Sequence, residues 1–313
     1  MPSGEIYRPR YSGVATFMRR PLRADGDWDG VEIGLIGVPF DGGVTNRPGA
    51  RHGPRGLREQ STLMGHTNHQ TGIRPYHIAE SADLGDVLIE GVYSLERAMD
   101  DIEAFYKKVH AAGILPLTAG GDHSITLPIM KAIAADRPVG LIHFDAHCDT
   151  GPELFGHKHH HGGPFKVAVE DGVLDPKRTI QIGIRGPAEP LWAFSYESGM
   201  TVIHIEDLYA MGIDAVIAKA REVVGDGPTY ISFDVDGLDP VYAPGTGTPE
   251  VGGFTTFEAQ QMLRGLRGLD IVGGDVVEVS PPFDPSGQTA LTGAQMMWEI
   301  LCLMGENVAS KKS

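Results

Sequence analysis

The chain has 313 residues, 41% of them hydrophobic, which is enough for a substantial core in one large domain or two small ones. A formal charge of −15 leaves little basic surface for neutralising phosphates and argues against nucleic-acid binding. No run of about 18 apolar residues occurs, the first residues (MPSGEIYRPRYSG) lack the apolar stretch of a signal peptide, and Cys148 and Cys302 are too few for a disulfide framework. A cytoplasmic protein without a membrane partner is therefore expected, with both thiols free.

Residues 1–30 carry Pro and Arg without clean periodicity and read as an arm ahead of a single domain over 31–313. Beyond it, short apolar β-branched runs alternate with helical patterns. Strands are expected at 31–40 (VEIGLIGVPF), less regularly at 77–87, then at 114–121 (ILPLTAGG), 139–147 (VGLIHFDAH), 179–185, 201–207, 229–236 (TYISFDVD) and 270–280 (DIVGGDVVEVS). Helical spacing fills 94–113, 125–136, 212–225, 255–269 and 291–305. Apolar strands alternating with helices indicate an α/β fold, a mostly parallel sheet covered on both faces.

In open α/β sheets ligands gather outside the carboxyl ends of the strands. Polar residues cluster there in this chain: GGDHS follows ILPLTA, DAHCD follows VGLIHF, DVDGLDP follows TYISF, and EVSPPFD ends the last strand. His123, Asp145, His147, Asp149, Asp234 and Asp236 make two imidazoles and four carboxylates. Side chains at i and i+2 share a face, so Asp145 with His147, and Asp234 with Asp236, converge. Any one of these aspartates suits an ordinary turn, but six such residues at three strand ends fit a shared site better. Four close carboxylates repel unless cations neutralise them. Two divalent ions would do so, and oxygen-rich ligation with some imidazole suits Mn²⁺ rather than a thiolate-bound structural zinc. Such a pair activates water at neutral pH.

The motifs GGDHS (120–124), DAHCDT (145–150), HGGPF (161–165), SFDVDGLDP (232–240), APGTGTPE (243–250) and EVSPPFD (278–284) resemble the ureohydrolase (arginase/agmatinase) family, closest to its agmatinase, guanidinobutyrase and guanidinopropionase branch. The resemblance spans the chain beyond residue 30 and implies a three-layer α/β sandwich. It implies that His123, Asp145, Asp149 and Asp234 hold one Mn²⁺ and that Asp145, His147, Asp234 and Asp236 hold the other, two per subunit. Ni²⁺ and Co²⁺ accept similar ligands. The implied reaction is hydrolysis of a small guanidino compound (agmatine, 4-guanidinobutyrate or 3-guanidinopropionate type) to urea and an amine, in a homo-oligomer, trimer or hexamer. Glu278 matches the residue that pairs with the guanidinium, Asp149 orients the attacking water, and His161 is the matching proton shuttle to the leaving amine.

The run HKHHH leaves His157, His159 and His160 open, either as a solvated loop or as contacts at the rim. Two positions depart from the family pattern. Gly151 stands where Asn commonly follows DAHxD, and Gly163 turns the usual HGT into HGG. Either glycine serves a tight turn at positive φ, or substrate-tail recognition has changed. Replacement contacts are sought in Arg185, Glu189, Trp192, Asn46 and Arg47; Trp192 in particular could cover an apolar guanidine. Alternation turns Cys148 away from Asp145 and His147, toward packing. Alternative readings are a hydrolase of a small alkylguanidine lacking a charged tail, a non-catalytic subunit of the same fold, and a deacetylase, whose relatives share the fold but use one zinc.

Overall fold

The computed structural model describes residues 9–24, 26–186 and 191–312. Eight strands form one sheet: β1 Ile33–Gly37, β2 Ser81–Asp86, β3 Leu115–Ala119, β4 Val139–Phe144, β5 Leu174–Ile184, β6 Thr201–His204, β7 Thr229–Asp234 and β8 Ile271–Val277. Their order is β2-β1-β3-β8-β7-β4-β5-β6, and all pairings are parallel. Among the described residues the helices are α1 Gly53–Ser61, α2 Pro75–Ile78, α3 Leu95–Ala111, α4 Thr126–Ile133, α5 Pro164–Glu170, α6 Ala193–Ser198, α7 Ile205–Met211, α8 Ile213–Val224, α9 Thr256–Arg264 and α10 Gln288–Lys312. None is long and apolar enough to cross a membrane.

Successive residues of one strand feed opposite cores, the signature of a sheet covered on both sides. Leu141 joins Ile102, Tyr106, Ile129 and Phe165, beneath α3, α4 and α5. Its neighbour Ile142 joins Leu57, Val216, Met262 and Ile300, beneath α1, α8, α9 and α10. The three-layer α/β sandwich expected from the alternation is the architecture that forms.

Every strand stops short of its expected end, and β4, β7 and β8 do so at Phe144, Asp234 and Val277. There the polar residues leave the ladder and turn across the sheet edge. Five short helices escaped the periodicity argument because few turns give little pattern. α5 begins inside HGGPF, and α7 takes over at Ile205, where a strand was expected to continue to 207.

The segment before β1 lies along the outer strand β2. The Phe17 N–H donates to Asp83 Oδ2 (2.9 Å), the Arg23 N–H donates to the Asp83 carbonyl (2.7 Å), and the Arg58 guanidinium stacks on the Phe17 ring at 4.1 Å. Arg58 of α1 also donates from Nε to Asp83 Oδ2 (2.9 Å), and Asp83 is fully buried. One carboxylate thus ties segment, helix and edge strand together. Asp83→Ala leaves Arg58 with only the half-exposed Asp86 (2.7 Å) and the Phe17 N–H unpaired, and is expected to lower the unfolding free energy by about 1–3 kcal/mol. Urea denaturation reads this directly; an unchanged midpoint would show that the segment and α1 hold without Asp83.

Candidate active site

The sheet order sets β3, β8, β7 and β4 side by side at its centre. Each delivers site residues from its carboxyl end. His123 opens the turn after β3, Glu278 follows β8, Asp234 ends β7 with Asp236 in the next turn, and Asp145, His147 and Asp149 follow β4. His123 Nδ1 lies 3.2 Å from Asp145 Oδ2, 2.9 Å from Asp149 Oδ2 and 3.2 Å from Asp234 Oδ2, yet has hydrogen-bond geometry with none. His147 Nδ1 lies 3.4 Å from Asp145 Oδ1 and 3.1 Å from Asp236 Oδ2. Asp145 therefore offers one oxygen to each cluster. All six residues drawn from the sequence are brought together.

Burial sets the electrostatics. Desolvation, with the Asp145 charge beside it, pushes Asp236 up to about 7, and it drives Asp234 well above the usual carboxylate range. Asp145 goes the other way: burial alone would raise it, but His143, His123 and His147 hold it well below. Burial would lower His123 and His147, yet the carboxylates around them raise both. This cluster holds protons where cations would otherwise stand. An orphaned buried imidazole nitrogen facing three carboxylate oxygens, in a donor set of oxygen and nitrogen without thiolate, fits hard-to-borderline divalent ions.

Beneath the clusters lies a buried relay. Ser232 Oγ donates to Asp275 Oδ1 (2.7 Å) and so accepts from His123 Nε2 (2.8 Å). Thr126 and Tyr230 hydroxyls donate to Asp275 Oδ2. With its proton on Nε2, His123 would turn the Nδ1 lone pair toward an ion held between it and the carboxylates. Gln181 Nε2 donates to His143 Nδ1 (3.2 Å), so His143 Nε2 donates to Asp145 Oδ2 (2.7 Å). Sequence reasoning missed His143, Ser232 and Asp275. Alternation carried a signal for two of them: His143 stands two residues before Asp145, and Ser232 two before Asp234. Asp275 is an acid buried mid-strand, opposite Ser232 in register.

Glu278 links the clusters to a second region. Its Oε1 accepts from the His123 N–H and pairs with His161 Nδ1, both at 3.0 Å. Its Oε2 is buried and unpartnered. A carbon placed as Cβ on Gly247 would lie 3.5 Å from the Arg47 carbonyl, 3.6 Å from the Asn46 carbonyl and 3.7 Å from Glu278 Oε2. Three acceptors thus surround a space that glycine keeps open. Glu278 and Asp149 both sit at positive φ (63° and 50°), strained backbone of the kind found at functional sites.

His161 is held on its other side by Thr45, whose backbone nitrogen and hydroxyl lie 3.2 and 2.8 Å from Nε2. The Gly43 carbonyl accepts the His161 N–H (2.9 Å). Two carboxylates fix this loop: Asp122 accepts from the Gly43 N–H, and Asp41 from the Gly49 N–H and Arg51. Burial pulls the His161 pKa down, but the Glu278 carboxylate, with Asp149 and Asp122, more than offsets it and pushes it up to about 9.

The residues considered for the substrate tail are scattered. The Arg185 guanidinium donates to backbone carbonyls of Gly183, Asp236, Gly237, Leu238, Glu250 and Val251, which leaves it no free donor. Arg47 stacks on Phe283 at 4.1 Å. Trp192 packs edge-on against His204, and Glu189 lies outside the described residues. His157 is exposed, 3.6 Å from Glu96; His159 is half-buried; Cys148 is buried. Gly151 and Gly163 do not need positive φ. A Cβ on Gly151 would come within 2.6 Å of the Gly162 carbonyl, and one on Gly163 within 2.9 Å of the buried His160 ring. Close packing, rather than a turn, demands both.

Residues 31–303 match the profile of the arginase family. The chain is 55% identical over 306 residues to the guanidinopropionase of Pseudomonas aeruginosa, covering 96% of this chain and 95% of the relative. It is 44% identical over 307 residues to the guanidinobutyrase of the same organism, covering 97% and 96%. The solved structure of proclavaminate amidino hydrolase from Streptomyces clavuligerus superposes with a TM-score of 0.91 at 34% identity, covering 96% of this chain and all of that one.

The shifted carboxylates set a pH dependence. Chelator-treated protein carries Asp122 at about 6 and Asp236 at about 7, both raised above their unfolded values by burial and neighbouring carboxylates. The stability tied to them is complete below about pH 4 and lost as pH rises through the folded pKa values. The melting temperature of chelated protein is expected to fall between pH 5 and pH 8, and restored divalent ions should abolish the part of the fall due to Asp236 while leaving the part due to Asp122. A flat or rising profile after chelation would contradict the assignment of these carboxylates as a charge-crowded cluster.

Proposed function

The chain belongs to the arginase family, and from that premise we propose that it hydrolyses the guanidino group of a small guanidino compound to urea and an amine. The observation that carries this is the unpartnered, buried Oε2 of Glu278 among the carbonyls of Asn46 and Arg47. A guanidinium offers N–H donors in a plane and a positive charge, and that space offers acceptors and a negative one.

His123, Asp145, Asp149 and Asp234 would hold one divalent ion, and Asp145, His147, Asp234 and Asp236 the other, with Asp145 and Asp234 shared. Mn²⁺ is the proposed ion on the hard donor set; Ni²⁺ and Co²⁺ suit the same ligands. Such a pair supplies Lewis acidity and activates water at neutral pH. The chain's own residues do the rest. Glu278 fixes the guanidinium with its central carbon facing the clusters. Asp149, on the His123 side, orients the attacking water. As the new C–O bond forms and the C–N bond to the departing amine breaks, that nitrogen needs a proton. His161, held between Glu278 and Thr45, is positioned to donate it.

Compounds of the agmatine, 4-guanidinobutyrate and 3-guanidinopropionate type are the proposed substrates. A small alkylguanidine without a charged tail is the second reading, supported by the engagement of Arg185 elsewhere. A cytoplasmic homo-oligomer, trimer or hexamer, completes the proposal and rests on the family resemblance alone.

Urea release from agmatine, 4-guanidinobutyrate, 3-guanidinopropionate, arginine and simple alkylguanidines, with each divalent ion supplied in turn, tests the reading; no urea from any would end it. On the compound that turns over, His161→Asn is expected to lower kcat by about 10²–10⁴-fold while the bound metal stays at the wild-type level. Wild-type kcat in that variant would remove His161 from the reaction.

A further inference from the structure

His160 precedes the proposed proton donor, and the mechanism gives it no task. It is 8% exposed, and its ring is caged by three glycines. Its Nε2 and Cε1 lie 2.9 and 3.0 Å from where a Cβ on Gly163 would stand, and Cε1 lies 3.5 Å from the same point on Gly151. Nδ1 lies 3.5 Å from that point on Gly162. The Gly151 N–H donates to the Gly162 carbonyl (2.7 Å) and the Gly163 N–H to the His160 carbonyl (3.1 Å), which closes the neck of loop 151–163 around the ring. A side chain at 151 would strike the backbone of that neck, and one at 163 would strike the ring. The imidazole occupies the room that a side chain at 163 would need.

Its two nitrogens differ. Nε2 lies 2.9 Å from the Pro152 carbonyl, which can only accept, so Nε2 carries the proton. Nδ1 of the neutral ring is then a bare lone pair. It is buried and has no partner among the protein's groups. The same point beside Gly162, 3.5 Å from Nδ1, is 4.0 Å from Asp149 Oδ1, so the acceptor and a proposed metal ligand border one glycine.

We propose that His160 selects the substrate, its Nδ1 accepting a hydrogen bond from an N–H or O–H on the part of the guanidino compound that is not hydrolysed. The inference rests on the proposed guanidino hydrolysis and deepens it by naming the tail chemistry. A carboxylate tail brings acceptors only and meets a lone pair with Asp149 behind it. An ammonium, amino, amidino or hydroxyl tail brings the missing donor. Cases in which a buried acceptor is left unpaired are where hydrogen-bonding sites discriminate most strongly.

The test compares compounds matched in length and different in tail, agmatine and 4-guanidinobutanol against 4-guanidinobutyrate and butylguanidine, on metal-loaded wild type, His160→Leu and His160→Asn. Leu removes the acceptor, whereas Asn keeps a carbonyl oxygen one bond beyond Cγ, close to where Nδ1 stands. Both kcat/KM and binding by titration calorimetry are read, so binding judges His160 even where nothing turns over. Wild type is expected to favour the donor-tailed compounds. His160→Leu should lower the donor-to-acceptor preference about tenfold, the equivalent of one hydrogen bond, mainly through KM, and His160→Asn should restore most of it. Wild type that prefers 4-guanidinobutyrate, or binds none of the four, overturns the proposal. So does a His160→Leu variant that weakens all compounds equally, which would mark the ring as packing only. Donor-selective binding without urea release would leave the inference standing and sink the proposed reaction.

Discussion

The site depends on one constraint: Asp145, Asp149, Asp234 and Asp236 are buried within a few ångströms of each other at the centre of a parallel sheet. Unpaired, such charges are very costly in a protein interior. The structure meets the cost from two sides. Below, His143 donates to Asp145, and the His123–Ser232–Asp275 relay holds a proton on Nε2 of His123 so that its Nδ1 would be free for an ion. Above, the remaining negative charge faces the space that divalent ions would fill. The sheet order makes this possible, because only adjacent strands can bring their ends so close.

The alternation of apolar strands and helices was legible in the sequence because sheet and helix periods leave different marks, and so the three layers were too. The six clustered residues were legible because DAH and DVD spacing puts side chains on one face just beyond an apolar run. What escaped was of two kinds. α2 and α6 are too short for a period to register. Asp275 and Ser232 look in sequence like ordinary polar residues in strands; only the register of β7 against β8 shows that they meet. Thr45 and Asp122 act on His161 across long sequence separations, which no local pattern encodes.

Arg185 shows how a plausible reading of residue type fails for a physical reason. An arginine after a strand near a cleft invites a carboxylate partner. Here it instead gathers carbonyls from the 236–251 loop, whose polar groups need satisfaction once the chain leaves β7. The guanidinium is spent on holding Asp236 and its turn in place. It serves the candidate metal centre through the backbone rather than the tail through its charge.

The two glycines lead to a different division of labour. The clustered carboxylates stand on strand ends, where pairing on both sides fixes the backbone. Gly151, His160 and Gly163 stand at the neck of a loop and fix one another. With a Cβ on Gly163 only 2.9 Å from the His160 ring, a larger residue at 163 requires the ring at 160 to move or to be replaced. Changes at these positions are therefore coupled, because they compete for the same volume. The three form a cassette whose packing is self-contained. On the proposed role of His160, exchanging the three together would alter the tail that the site accepts without moving a strand end. Such an exchange would let one sheet edge keep its chemistry while the loop beside it changes the compound it receives.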